Sequence, residues 1–506
     1  MEKSKTVKRS FLMVLLVAGL LLSISASRAY SYPRDLENRV GIIGHIIPPP
    51  SHWQMVEDPL LDSVFRIDIK TIAVTFDYVP GGYYADCHAV VDFTMRSGQR
   101  RPVIHLAPAI RDNAGTVGAI QLNNETLNLS DESDVRIISF DESSEQALEF
   151  QRDLEANIVH TLEMSYQLTL PEGYPRFSTE VTDLEGRGNE ERFPTINTPH
   201  ELARHFLTFR VHSNTPFRCI GSGLVEKTNA DVQEWTLDTE REVASYTVMF
   251  ALLPEQDTVF EERNINGTDV RILAFVGGAS IHTAFNMLEP WLPELEANFG
   301  PFPMPRGLSI FLTSGGGGME YYGGTITSVW ALLHEVFHMY YGCSTINKTY
   351  RDSWLDEAID EWYELSVDPT FYPMPDSYRS NIVSGRSPVG VGFDRRAYDE
   401  GAHIMEAVAR ELGGRNAMIA FLRYVHTNYS FSPFTTFDFL DYLEDYSGVD
   451  MTDRFLDWLY LGEQTGSAAG PPSSSDHLMH KQKVDMTPPE SLLQKYSTYS
   501  DKRRTK

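Results

Sequence analysis

The chain reads His334-Glu335-Val336-Phe337-His338 at its most informative point. Two histidines four residues apart lie on one face of a helix, about one turn from each other, so both imidazoles can reach one metal ion. Glu335 lies between them and points toward the open position of such a metal, where a carboxylate can take a proton from water. This spacing predicts a helix that binds zinc through His334 and His338 and carries Glu335 as catalytic base.

A third ligand is predicted on the helix that follows. Glu357 comes after eighteen intervening residues, and three protein ligands with one open position are typical of a catalytic zinc site, whereas four ligands close a structural one. Farther along this helix, Glu361 or Glu364 is a candidate to accept the second N–H of a zinc-bound histidine; the alternative is that both are solvated charges. The sequence therefore predicts one zinc ion per chain, bound by His334, His338 and Glu357.

Both ligand-bearing segments have helical patterns. The first can begin at a cap formed by Thr327 or Ser328 and end at Gly342, and it is apolar almost all round, which predicts burial. The second begins with Ser353 and Asp356 at the spacing of a capping box. Buried histidines and a buried glutamate need partners, which a metal ion supplies. The alternative is a surface helix with two ordinary histidines.

Three stretches around these ligands resemble those of a known family. Trp354-Leu355-Asp356-Glu357-Ala358 is similar to the Trp-Leu-Asn-Glu-Gly signature of aminopeptidase-N-like zinc metallopeptidases, a gluzincin family with the pattern HExxH-x18-E. Gly317-Gly318-Met319-Glu320-Tyr321 resembles the family's Gly-x-Met-Glu-Asn motif. Tyr398-Asp399-Glu400-Gly401-Ala402 resembles its Tyr-x-Lys-Gly-Ala stretch. The resemblance is good over about residues 255–465 and diffuse over 37–250.

The sequence predicts an α+β multidomain chain. Period-two or continuous apolar runs between turn signals predict an N-terminal antiparallel β domain over residues 30–252. These runs are Thr71–Val79, His88–Met95, Val103–Ala107, Val135–Phe140, Ile158–Leu170, Phe206–Val211 and Val243–Leu253. For residues 253–465, the resemblance implies a thermolysin-like, mainly helical zinc catalytic domain. The large helical domain that follows in many family members is expected to be missing, which implies a more open cleft.

The resemblance also implies an activity, which is peptide hydrolysis by a zinc aminopeptidase. Glu320 would bind the free α-ammonium group of the substrate, on a strand whose residues Gly318 and Met319 pair with the substrate backbone. Tyr398 would act beside Glu335 as a catalytic residue and stabilise the oxyanion. The alternatives are an exposed Glu320 on a glycine-rich hairpin and an ordinary core aromatic at Tyr398.

Two other functions stay open. The sequence departs from the family at Tyr321, where the family has asparagine, and at Glu400, where it usually has lysine. Tyr321 and the missing helical domain motivate an endopeptidase on the same fold. The other alternative is a catalytically inactive, secreted zinc-containing binding protein, although the presence of Glu335 and Tyr398 argues against it.

The two ends of the chain have compositions of their own. Residues 1–29 have the pattern of a signal peptide, because basic residues precede the apolar run Phe11–Ile24 and Ser27-Arg28-Ala29 is an acceptable cleavage site. We therefore expect a secreted or periplasmic protein, with an uncleaved N-terminal anchor as the alternative. Residues 466–506 begin with small residues and proline, which predicts a disordered tail.

The net charge disfavours certain partners, and the cysteine content argues against a disulfide-bonded fold. The net charge of −27 disfavours nucleic acid and anionic membranes as partners. Peptide or protein N-termini are the partners that the resemblance implies. Three cysteines do not make a disulfide framework. A bridge between Cys87 and Cys219 is conceivable, whereas Cys343 is predicted to be a buried thiol.

Overall fold

The computed structural model describes residues 66–96, 101–139, 146–172, 176–179, 189–196, 198–229, 233–349, 352–378, 382 and 396–460. The predicted signal peptide, residues 1–29, and the predicted tail, residues 466–506, lie outside these ranges. All of the described residues fall within one compact unit, Val56–Lys506. The domain boundary predicted between residues 252 and 253 stays a prediction.

The first part of the chain consists of strands whose residues alternate between buried and partly exposed, the period of a half-buried sheet. A short helix, α1 (Ala107–Ile110), follows the third strand. The strands are β1 (Ile67–Val79), β2 (Tyr84–Met95), β3 (Val103–Ile104), β4 (Gly115–Leu122), β5 (Glu125–Leu127), β6 (Val135–Ser139), β7 (Gln146–Phe150), β8 (Val159–Thr169), β9 (Phe177–Ser178), β10 (Leu202–Val211), β11 (Phe217–Gly221), β12 (Leu224–Asn229), β13 (Gln233–Asp238), β14 (Val243–Ala244) and β15 (Phe250–Pro254).

The largest sheet has the strand order β12-β13-β10-β1-β2-β8-β4-β5, and β14 also pairs with β10. Its strands are antiparallel except β1 and β10, which run parallel with Thr71 opposite Arg204. The prediction of an antiparallel β domain therefore holds for the other pairs of this sheet and is wrong for β1 and β10. The alternation of buried residues is the same whichever way a neighbouring strand runs, so the period-two pattern carries no information on direction. Smaller sheets, β3-β7-β6 and β11-β15-β9, complete this part.

One predicted strand is interrupted. The apolar run Val243–Leu253 forms two strands, because a 3-10 turn at Ser245–Thr247 separates β14 from β15. The carbonyl oxygens of Ser245 and Val248 accept hydrogen bonds from the buried Asn189 side chain instead of from a neighbouring strand. Asn189 is distant in the sequence from Ser245 and Val248, so the local sequence pattern gives no indication of this interruption.

The second part opens with a five-stranded sheet of order β16-β17-β18-β20-β19. β17, β18 and β20 are parallel to one another, whereas β16 and β19 are antiparallel to their neighbours. This arrangement places β19 at the edge of the sheet, beside β20. The strands are β16 (Thr258–Ile265), β17 (Thr268–Phe275), β18 (Leu308–Leu312), β19 (Gly318–Tyr321) and β20 (Gly324–Thr327).

Helices make up most of the remaining described residues. They are α2 (Ile281–Phe299), α3 (Leu332–Phe337), α4 (Trp354–Leu365), α5 (Arg396–Leu412), α6 (Arg415–Tyr429), α7 (Thr436–Ser447) and α8 (Thr452–Tyr460). α2 is capped by Ser280, whose hydroxyl accepts from the backbone N–H of Thr283 at 3.2 Å. Among the described residues, no helix is long and apolar enough to cross a membrane.

A single apolar cluster extends from Ile67 in β1 to Leu459 in α8, so the β-rich part and the helical part share buried surface. Phe299 at the end of α2 lies against Phe337 and Tyr363, which come from the two ligand-bearing helices. Cys343 is buried near this cluster as predicted, and all three cysteines are free, so the conceivable bridge between Cys87 and Cys219 does not form.

Candidate active site

The three predicted metal ligands meet between α3 and α4. Nε2 of His334 lies 3.2 Å from Nε2 of His338 and 3.2 Å from Oε2 of Glu357, and the distance between His338 Nε2 and Glu357 Oε2 is 3.3 Å. Zinc with nitrogen and oxygen ligands at about 2.0–2.1 Å in tetrahedral geometry separates those ligands by about 3.3 Å. The three donor atoms therefore have the spacing that the ligands of one zinc ion require.

The helix that carries the histidines is shorter than predicted. α3 begins at Leu332 after Ala331, which makes no side-chain cap, so the predicted cap at Thr327 or Ser328 is wrong. Thr327 ends β20 instead, and its hydroxyl donates to the Ser328 carbonyl. The helix also ends well before Gly342. His338 is its C-terminal capping residue, and the His338 carbonyl accepts from the Cys343 N–H at 2.9 Å.

The second ligand helix also lacks its predicted capping box. The side chain of Ser353 makes no cap hydrogen bond. The carboxylate of Asp356 is occupied elsewhere, because it accepts from the backbone N–H of Glu357 and from the side chain of Asn347, both at 2.8 Å. Burial raises the pKa of Asp356 to about 8. Asp356 therefore stabilises the first turn of α4 through the backbone N–H of Glu357 and does not form a capping box with Ser353.

Each histidine has a different partner at the nitrogen that faces away from the triangle. Nδ1 of His338 donates to the carbonyl of Tyr341 at 2.9 Å, and this bond orients the ring with Nε2 toward the other two donor atoms. Nδ1 of His334 lies 3.3 Å from Oδ2 of Asp360 and 3.7 Å from Oε1 of Glu364. A separation of 3.7 Å is too long for a hydrogen bond.

Asp360 is the residue that the sequence-based prediction missed. Of the two carboxylates proposed for this position, Glu364 lies near His334, and no ion pair joins Glu361 to either histidine among the described residues. The signal was present, since Asp360 lies three residues after Glu357 and such residues are neighbours on a helix face.

The predicted base, Glu335, is buried against the glycine-rich strand. Its Oε2 atom has no hydrogen-bond partner among the described residues. A Cβ atom added to Gly318 would lie 2.5 Å from Cγ and from Oε1 of Glu335, so only glycine allows this approach. Burial raises the pKa of Glu335 to about 8. A buried carboxylate with one unused acceptor is suited to holding a proton that comes from outside the protein.

The predicted substrate-binding residues lie on β19, the edge strand. Gly318, Met319 and Glu320 pair with Thr327, Ile326 and Thr325 of β20. Glu320 is half-buried, and its charge contributes to the raised pKa of Glu335. The side chain of Tyr321 is 1% exposed and packs in a cluster with Ile326 and Met249. The departure from the family at Tyr321 therefore lies in the core and not at the surface of the site.

Tyr398, in the first turn of α5, lies next to the ligand triangle. Its hydroxyl donates to Oε1 of Glu357 at 2.7 Å, and its ring centre lies 5.9 Å from that of His334. Burial and the charge of Glu357 raise the pKa of Tyr398, so the hydroxyl keeps its proton. α5 can approach α4 this closely because a Cβ at Gly401 would lie 2.6 Å from that of Ala358.

The electrostatics of the triangle favour a cation. Burial by itself raises the pKa of Glu357, but the imidazoles of His338 and His334 outweigh this effect and hold the pKa below its usual range. For His334, burial lowers the pKa, but the nearby carboxylates of Asp360 and Glu357 outweigh burial and raise the pKa above its usual value. Carboxylates thus dominate the surroundings of the two rings, and the donor set fits a divalent metal with nitrogen and oxygen ligands.

Comparisons with known proteins find similarity in structure alone. No family model matches the chain, and no curated protein matches its sequence. An M1 zinc metallopeptidase from Deinococcus radiodurans superimposes with a TM-score of 0.60 at 17% identity, over 81% of this chain and 97% of that one. Aminopeptidase A of Legionella pneumophila gives a TM-score of 0.62 at 13% identity, over 78% of this chain and 50% of that one. Yeast LTA4 hydrolase gives a TM-score of 0.60 at 14% identity, over 87% of this chain and 73% of that one. The chain therefore has the fold of the M1 zinc metallopeptidases.

Proposed function

We propose that this protein is an exported zinc metallopeptidase that acts as an aminopeptidase on the free N-termini of peptides or proteins. The observation that carries the proposal is the triangle of His334, His338 and Glu357, whose donor atoms lie 3.2–3.3 Å apart beside a buried Glu335. The structural neighbours named as a zinc metallopeptidase and an aminopeptidase support the same class of reaction.

Zinc held at this triangle would supply Lewis-acid activation of water and of the scissile carbonyl. Glu335 would accept the proton of the attacking water at its unpartnered Oε2 and then deliver it to the leaving amine. Tyr398, whose hydroxyl keeps its proton, would donate a hydrogen bond to the oxyanion that develops at the carbonyl. That donation requires the hydroxyl to leave Oε1 of Glu357.

The exopeptidase part of the proposal depends on Glu320. A carboxylate on the edge strand β19 would form a charge-assisted hydrogen bond with the α-ammonium group of a substrate. An added strand of substrate backbone can pair with an exposed sheet edge, which gives Gly318 and Met319 their proposed role in binding. Residues 1–29 support export, because they have the basic and apolar segments of a signal peptide.

Metal removal and reconstitution test the proposal. The protein is treated with a chelator, dialysed, and titrated with zinc while the release of p-nitroaniline from aminoacyl p-nitroanilides is followed. We expect hydrolysis to disappear in the metal-free protein and to return in proportion to zinc, with a break at one equivalent per chain. Full activity in the metal-free protein, or bound zinc without any hydrolysis of amides or peptides, would overturn the proposal.

A further inference from the structure

Asp360 has no role in the reaction described above, although its carboxylate is completely buried, with 0% exposure. Oδ2 lies 3.3 Å from Nδ1 of His334 and 3.4 Å from Nε2 of His338. Neither carboxylate oxygen has a hydrogen bond of good geometry within the described ranges. Burying a charged carboxylate is costly unless a charge or a strong donor compensates it. Among the described residues, the two imidazoles are the groups beside Asp360 that can supply this compensation.

The two imidazoles differ in what holds them. Nδ1 of His338 already donates to the carbonyl of Tyr341, a neutral acceptor. Nδ1 of His334 faces carboxylates instead, and Asp360 is closer to it than Glu364, at 3.3 Å against 3.7 Å. Of these two groups, Asp360 alone lies near hydrogen-bond distance of the His334 ring.

We propose that Asp360 is a positioning residue for the metal site: it accepts the Nδ1–H of His334 and thereby holds the ring with Nε2 toward the metal. A carboxylate acceptor also makes the imidazole a stronger base and so a stronger ligand. This inference rests on the proposed function, because it assumes that the triangle binds zinc.

The test measures zinc affinity in the full chain by competition with a chromophoric chelator. Asp360→Asn keeps the shape of the side chain and removes its charge. We expect the variant to bind zinc about 10–100-fold more weakly than the wild type. We also expect its cobalt-substituted form to show shifted visible absorption bands, because the His334 ring is no longer held in one orientation.

Two neighbours on α4 provide matched controls. Glu361→Gln removes a carboxylate that forms no ion pair with either histidine in the described structure, so its zinc affinity should stay within about twofold of the wild type. Glu364→Gln should weaken binding less than Asp360→Asn, because Glu364 lies farther from His334. An Asp360→Asn affinity within about twofold of the wild type would overturn the inference, as would a larger loss in Glu364→Gln.

Thermal unfolding separates positioning from a general structural role. Removal of one partner of a buried ion pair can lower the melting temperature of the metal-free protein, so the decisive quantity is the rise in melting temperature on adding zinc, which should become smaller in Asp360→Asn. Equal destabilisation of the metal-free and zinc-bound forms would instead assign Asp360 to the fold. If Asp360→Asn accumulates as insoluble protein, Asp360→Ser takes its place. It should also bind zinc about 10–100-fold more weakly than the wild type, and an affinity within about twofold of the wild type would overturn the inference.

Failure of this inference and failure of the proposed function give different results. A wild type that binds zinc but cleaves nothing overturns the proposed function, and the affinity series still decides the role of Asp360. A wild type that binds zinc and cleaves peptides, with an unaffected Asp360→Asn variant, overturns only the inference. A wild type without measurable zinc affinity overturns both.

Discussion

Gly318 and Glu335 are in direct contact: a Cβ on Gly318 would come within 2.5 Å of Cγ and Oε1 of the glutamate, and within 2.5 Å of Oγ1 of Thr327. The edge strand β19 therefore lies close to the catalytic glutamate on helix α3. A peptide paired with β19 would lie beside the base and the donor triangle at once. This single contact links the substrate-binding and catalytic parts of the proposed site.

Gly318→Ala is expected to lower kcat by about 100-fold, because the added methyl group displaces the Glu335 carboxylate and small misplacements of a catalytic group are costly. Zinc content should stay at the wild-type level. Gly316→Ala is the matched control, since its Cβ meets nothing closer than the Trp330 ring at 3.8 Å. Equal kcat values for the two variants would contradict the contact as a determinant of activity.

Glu335→Gln is expected to reduce kcat by about 10²–10⁴-fold, because an amide cannot take up a proton from water. The metal ligands are untouched, so zinc measured by elemental analysis should remain at one equivalent. A variant with near wild-type kcat would remove the assignment of Glu335 as base.

Tyr398→Phe is expected to lower kcat by about 10²–10³-fold, because it removes the proposed hydrogen-bond donor to the oxyanion. Tyr378→Phe is its control. It removes a hydroxyl that donates to Glu400, on the same helix as Tyr398, at 2.9 Å. Comparable losses in both variants would point to α5 packing instead of to the Tyr398 hydroxyl.

Glu320→Gln is expected to lower kcat/KM for peptides with a free N-terminus by about 10–100-fold, the value of one hydrogen bond to a charged group. Peptides with an acetylated N-terminus should show no such loss, since they carry no ammonium group. The measurement compares both substrate forms in wild type and variant. A loss of the same size for both forms would assign Glu320 to the fold of the cleft.

Buried histidines in the β-rich part should make the protein sensitive to acid. Burial lowers the pKa of His205 to about 3, and Nε2 of this ring lies 2.9 Å from the hydroxyl of Ser245. In the unfolded chain this histidine takes up a proton near pH 6.5, whereas in the folded chain it stays neutral down to about pH 3. The free energy of unfolding therefore decreases as the pH falls from 6.5 toward 3. The slope is about 1.4 kcal/mol per pH unit for each such histidine.

Denaturant unfolding at pH 7.5 and pH 5 checks this dependence. His205→Gln should lose less stability than the wild type between the two pH values, because the variant has one fewer group that titrates only when unfolded. The absolute stability at pH 7.5 is expected to fall, since the substitution disturbs a buried site. An identical difference between the two pH values in both proteins would contradict the buried, neutral state of His205.

The ligand triangle could be predicted from the sequence because its information is local. The spacing of His334 and His338 determines a shared helix face, and Glu357 lies within a recognisable helical stripe. The sequence also showed Gly318, two residues before Glu320, although the physical reason for a glycine there, the contact with Glu335, needed the folded structure. Local periodicity is sufficient wherever the interacting residues belong to one or two neighbouring helices.

The features that sequence analysis missed depend on residues distant in the chain. β1 runs parallel to β10 although nothing in either strand encodes direction. Asp356 has the spacing of a capping residue, yet its carboxylate is satisfied by Asn347 and by the N–H of Glu357. Asp360 was overlooked in favour of Glu361 and Glu364, because a helical wheel does not distinguish which of several carboxylates on adjacent faces is closest to a ring on another helix.

The central claim is that a zinc-dependent aminopeptidase acts at the triangle of His334, His338 and Glu357. We would test it by mass spectrometry of a peptide mixture in which every peptide is present with a free and with an acetylated N-terminus, with and without a zinc chelator. The account predicts stepwise removal of residues from free N-termini only, abolished by the chelator and by Glu335→Gln. Internal cleavage of both forms, or no cleavage by protein that contains one equivalent of zinc, would contradict it.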